Sequence, residues 1–151
     1  MHRLRVAIES HFVQVDVRVY TRLAFDYPYW SSYLDVFDGV EPVARVRRLP
    51  EVPSQWVRAE GPGVVLHPVR DYVGFRQFLG CWPGLLRDCS RAVRGDAPVL
   101  LRMGNVALFC WLLLALRRRP YAFEVVGHAG EGARQVRNVQ ALGLHRLICW
   151  W

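Results

Sequence analysis

DAPVLLRMGNVALFCWLLLALRRRPYAFEVV, residues 96–126, is the stretch whose reading decides the fold. Residues 96–102 read as a strand, Gly104 and Asn105 as a turn, residues 106–116 as an apolar helix and residues 121–126 as a second strand. Two strands joined through a helix lie parallel, because a parallel pair needs a crossover connection. The helix has eleven apolar residues in a row. That is about half the roughly 20 needed to span a bilayer, so the run predicts a helix buried on most sides rather than a transmembrane segment.

The same alternation extends outward on the amino-terminal side. Residues 4–8 form a first strand and residues 11–21 a long connection. Residues 24–37 place Phe25, Tyr29, Tyr33, Leu34 and Phe37 at helical spacing, with Pro28 in the first turn and Gly39 as the stop. A second strand covers residues 40–46. Residues 49–63, rich in Pro and Gly, form a loop or irregular hairpin, and residues 64–66 a third strand. Residues 74–93 read as a helix interrupted at Pro83-Gly84, with Phe75, Phe78, Leu79, Leu85, Leu86 and Val93 on its inner side. On the carboxyl-terminal side, residues 131–142 suggest a polar helix and residues 146–151 a sixth strand. The expectation is an α/β fold: one Rossmann-like domain over residues 1–151, with a mostly parallel sheet and helices on both faces.

Composition agrees with a folded domain. Of the 151 residues, 52% are hydrophobic and 22% charged, which excludes disorder and collagen-like polymers. The net charge of +7 comes entirely from arginine, since no lysine is present, and the arginines are spread from Arg3 to Arg146. No RNA-binding, zinc-finger or basic-helix pattern accompanies them, so nucleic acid is not an expected partner. Arg117-Arg118-Arg119 reads as the solvated end of the apolar helix, and that pairing also fits contact with a membrane surface. Cys81, Cys89, Cys110 and Cys149 form no metal or redox motif, and the start carries no secretory signal pattern; a reducing cytoplasm is the expected compartment.

In open α/β sheets ligands sit beyond the carboxyl ends of the strands. The residues to inspect are therefore Glu9 to His11, Arg45, His67-Pro68, Arg102 to Asn105 and Gly127-His128. Neither a dinucleotide nor a P-loop glycine pattern occurs, and no serine sits in a nucleophile elbow. Gly104 would let an anion approach the helix N-terminus beside Asn105, and Arg102 offers either a bidentate fork for that anion or an ion pair with Glu124. His128 follows Gly127 at a strand end, where an imidazole can serve a phosphate or a sugar hydroxyl near neutral pH.

Three stretches carry a family resemblance in order: VRVYTRLAFDYPYWSSYLDVFDGVEPVARV at residues 17–46, HPVRDYVGFRQFL at 67–79, and APVLLRMGNVALFCWLLLALRRRPYAFEVVGH at 97–128. Together they resemble the amino-terminal half of bacterial glycosyltransferases of the group 1, family 4 type. The resemblance implies the acceptor-side domain of a GT-B fold, with the donor-binding domain absent from residues 1–151. It implies transfer of a sugar from a nucleotide-sugar to a polysaccharide or lipid-linked acceptor, without a metal or other cofactor, at the inner face of the membrane. Relatives are expected to carry an Asp after EVVG where this chain has His128, but many other family 4 enzymes place a His at the corresponding strand end. The resemblance thus implies a catalytic His128, and the strand-end residues Arg102, Gly104, Asn105 and Gly127 are the expected substrate contacts. It also implies that this half alone is inactive and works with a donor-binding partner domain. The alternative is a non-catalytic α/β module that docks on a partner protein.

Overall fold

The computed structural model describes residues 3–22 and 24–124. Its strands are β1 (Arg3–Val15), β2 (Arg18–Thr21), β3 (Gly39–Arg48), β4 (Val57–Arg58), β5 (His67–Arg70), β6 (Val99–Arg102) and β7 (Ala122–Glu124). The helices are α1 (Tyr27–Ser31), extended by a 3-10 turn at Ser32–Asp35, then α2 (Gly74–Ala92) and α3 (Asn105–Leu116). The protein is therefore α/β with a mixed sheet. β1 pairs parallel with β3 and β6, β3 with β5, and β6 with β7, while β2 is antiparallel to both β1 and β4. Numbered by chain order, the five parallel strands lie side by side as 3-2-1-4-5.

Each face of the sheet is covered. Ala7, Val43, Val69, Val99 and Leu101 pack against Leu85, Cys89 and Val93 of the α2 region and Val106, Cys110 and Leu114 of α3. The opposite face, with Val6, Ile8, Phe12, Val40 and Ala44, packs on Trp30 and is flanked by Phe25, Tyr29, Tyr33 and Phe37. The alternation of strand side chains between faces sends Val6 to one core and Ala7 to the other.

Several boundaries differ from the sequence expectation, each for a local reason. β1 does not stop at Ile8: it continues through a register shift between Ala7 and His11 and turns back as a hairpin into β2. Asp16 supplies the positive φ of 52° that this tight turn needs. The expected helix over residues 24–37 shortens to α1 and its 3-10 turn, capped where the Asp26 side chain accepts from the Tyr29 N–H. β5 begins at His67 rather than Val64, and residue 64 makes only isolated bridges. Pro68 is tolerated there because β5 is an edge strand. α2 runs unbroken through Pro83. The proline and Leu79, whose carbonyl it leaves without a donor, both face solvent, where water replaces the lost bond.

Two helix faces also differ from expectation. Phe75 and Leu79, expected inside, are 72% and 53% exposed. α3 is buried along Val106, Ala107, Cys110 and Leu114 only, and shows Leu108, Leu112 and Leu116 to solvent. An apolar run carries no amphipathic signal, so its sequence could not tell which side faces the sheet. No helix among the described residues is long and apolar enough to cross a membrane. The expected helix at 131–142 and strand at 146–151 lie outside the described residues, as does Cys149.

Candidate functional site

The chain adds β3 and β5 on one side of β1 and then β6 and β7 on the other, so its direction across the sheet reverses between β1 and β6. At the carboxyl end of β6 and β7, against the register shift of β1, lies an open cleft of about 240 Å3 lined by Ile8, Glu9, Phe25, Arg102, Met103 and Glu124. A crevice at such a reversal is where open α/β sheets take their ligands, because the connections diverge to opposite faces and leave the strand ends uncovered.

Glu9 is the hub of this region. Its Oε1 accepts from the Tyr72 hydroxyl at 2.6 Å and lies 3.0 Å from Arg45 Nη2, and its Oε2 accepts from the Val106 backbone N–H at 3.0 Å. The Asn105 amide donates to the Tyr72 hydroxyl at 3.0 Å. Arg45, 7% exposed, also donates to the Tyr72 carbonyl and lies 4.3 Å above the centre of the Tyr72 ring. Burial, and then the hydrogen bond it donates to Glu9, push the Tyr72 phenol up to about 12. The acceptor charge at the α3 N-terminus is thus supplied by the protein itself. Gly104 is required there twice over: its φ of 145° disfavours other residues, and a Cβ on it would overlap the Glu9 side chain.

On the other side of the cleft, Arg102 Nε lies 3.1 Å from Glu124 Oε2, and its Nη1 donates to the Tyr29 hydroxyl at 2.6 Å. Its guanidinium sits 5.0 Å from the centre of the Phe25 ring. The ion pair with Glu124 is therefore formed, and the fork is not free. Glu124 Oε2 is buried yet accepts no hydrogen bond. Phe25 holds a φ of 77°, rare for an aromatic residue, and is kept in place by edge contact with Tyr29 and stacking on Trp30. Tyr33 is raised above the ordinary phenol range, first by burial and then by its hydrogen bond with Tyr29.

Of the site residues expected from sequence, Arg102 lines the cleft, Gly104 accommodates Glu9, and Asn105 braces Tyr72; Gly127 and His128 lie outside the described residues. His67 is not at a strand end but at the start of β5, where it pairs with Glu41 at 3.1 Å. The strand end there belongs to Asp71, which holds both His11 at 2.7 Å and Arg47 at 2.8 Å. Sequence reasoning missed Tyr72 and assigned Phe25 to a helix core. A cue was available for Tyr72, since a polar-tipped aromatic stands two residues beyond the end of β5. Among the described residues no group of His, Cys, Asp and Glu is arranged to hold a metal ion.

No protein family, curated protein or solved structure matches this chain.

Proposed function

We propose that the chain is a Rossmann-like, acceptor-side half of a GT-B glycosyltransferase of the group 1, family 4 type. In this reading a glycan or lipid-linked acceptor enters the cleft bounded by Ile8, Glu9, Phe25 and Met103. The observation that carries it is the 3-2-1-4-5 strand order with the cleft at its point of reversal. The three stretches quoted above add a specific family to that architecture. Arg102 lines the acceptor site, Gly104 and Asn105 brace its floor through Glu9 and Tyr72, and Gly127 and His128 meet the donor sugar or phosphate. Nucleotide-sugar binding is assigned to a second domain, and the cleft positions the acceptor for it. The proposed workplace is the cytoplasmic face of the membrane.

The test is a titration of methyl-labelled protein with neutral oligosaccharides, followed by NMR. Shifts confined to Ile8, Met103 and their neighbours are expected. Shifts elsewhere, or sugar transfer from a nucleotide-sugar by residues 1–151 alone, would overturn the reading.

A second reading, a docking module without catalysis, is favoured by one observation. Phe75, Leu79 and Trp82 stand exposed one turn apart along α2. If that row is the functional surface, Leu79→Ser with Trp82→Ser abolishes association seen by light scattering and leaves the oligosaccharide titration unchanged.

A further inference from the structure

The geometry points to a sugar unit without negative charge as the occupant of the cleft at the ends of β1, β6 and β7. This rests on the acceptor reading above and adds to it the charge class of the substrate.

An anionic ligand needs uncommitted positive charge, and the one cation among the described residues that line the cleft, Arg102, is already paired with Glu124. The Arg102 side chain is 13% exposed, and its guanidinium is turned toward Glu124 and Tyr29 and lies over Phe25. Arg45 is paired with Glu9 and donates to the Tyr72 carbonyl, which leaves its buried Nε without a partner. The N-terminus of α3, the usual seat for a phosphate, has its Val106 N–H donating to Glu9. A phosphate or carboxylate placed here would lie against Glu9 and Glu124, each already paired with a guanidinium, and like charge at close quarters disfavours it.

What the cleft does offer is acceptors and an apolar wall. Glu9 and Glu124 are more exposed than the arginine between them, at 22% and 35% of their side chains. Hydroxyl groups are donors that fit such oxygens, and a ligand O–H to a carboxylate is the stronger, charge-assisted kind. Phe25, Ile8 and Met103 supply surface for the C–H face of a ring. Hydroxyls on the edge and C–H groups on the face describe a neutral sugar; an ammonium in place of one hydroxyl suits the same carboxylates.

Four probes separate the possibilities by NMR titration of the intact chain: methyl glucoside, glucosamine, glucuronate and glucose 6-phosphate. Methyl glucoside and glucosamine are expected to shift the Ile8 and Met103 methyl signals, with the two anionic sugars about tenfold weaker. Inorganic phosphate is expected to leave the Val106 amide signal in place. Glu124→Gln, which frees Arg102, should narrow the gap between neutral and anionic sugars. Equal or tighter binding of the anionic sugars by the unaltered protein overturns the charge assignment while leaving the acceptor cleft standing. If none of the four sugars binds, the acceptor reading falls and this inference with it.

Discussion

Glu9 and Val106 stand 97 residues apart in the chain, yet the carboxylate of one accepts the backbone N–H of the other at 3.0 Å. Through that bond the first strand of the sheet caps the helix that follows β6, and the cleft floor is fixed to both.

Gly104 makes the contact sterically possible, so Gly104→Ala should cost roughly 3 kcal/mol, combining a strained φ with overlap on Glu9. Gly80 gives the opposite sign. A Cβ there meets nothing within 4 Å, and the position lies inside α2. Gly80→Ala should stabilise by about 0.5–1 kcal/mol. Urea denaturation of the two variants checks both, and equal effects would contradict the account.

Arg45 neutralises Glu9 from a nearly buried position. Arg45→Met is expected to destabilise by about 3 kcal/mol because it strands a carboxylate. Arg45→Lys should recover little, since an ammonium cannot reach Glu9 and the Tyr72 carbonyl together while stacking on the ring. In a double-mutant cycle Glu9→Gln with Arg45→Met should cost less than the sum of the single changes. Additivity would mean that the two side chains do not interact.

Acid stability has a specific source in Glu41, buried among Arg3, Arg5 and His67. Burial pushes this carboxyl up, but the hydrogen bonds from Arg5, Arg3 and His67 outweigh it and hold it at about 2, against an ordinary 4.5. A group lowered by folding stabilises above its unfolded value, and that stability drains as pH falls from about 4.5 to about 2. Thermal melts across this window should show a steep loss that Glu41→Gln flattens.

At the alkaline end the sign reverses. Tyr72 is neutral in the folded protein up to about 12, whereas an ordinary phenol ionises at 10. The stability it contributes is complete below pH 10 and is lost as pH rises toward 12. Tyr72→Phe should remove one late-titrating phenol from the absorbance titration and flatten this limb.

The alternation of strands and helices was readable because residues 96–126 carry it in one apolar sweep. The strand-end rule then directed attention to Glu9, Arg45 and Arg102 before any contact was known. Four things were not readable. The length of β1 depends on two neighbours, β3 alongside it as far as Gln14 beyond a register shift, and β2, whose four residues carry no strong pattern of their own. Pro68 argues against a strand, and only its place at the sheet edge overrides that. The outward face of α3 follows from which side meets the sheet, and a helix apolar on every side does not announce it. The Glu9–Tyr72–Asn105 chain joins three distant segments, a tertiary fact that no local pattern encodes.

β1 imposes an order on assembly. Its later residues can close the hairpin with β2 almost as soon as both are made, because Val13 and Tyr20 are near neighbours in sequence. Arg5, Val6 and Ala7 must wait for Val99, Leu100 and Leu101 to fill their second edge. Contacts of such long separation form slowly, and an apolar strand edge left open invites pairing with another chain. During synthesis the centre of this sheet therefore stays incomplete until residue 101 has emerged, and the burden of shielding Val6 and Ala7 in that interval falls on whatever meets the nascent chain first.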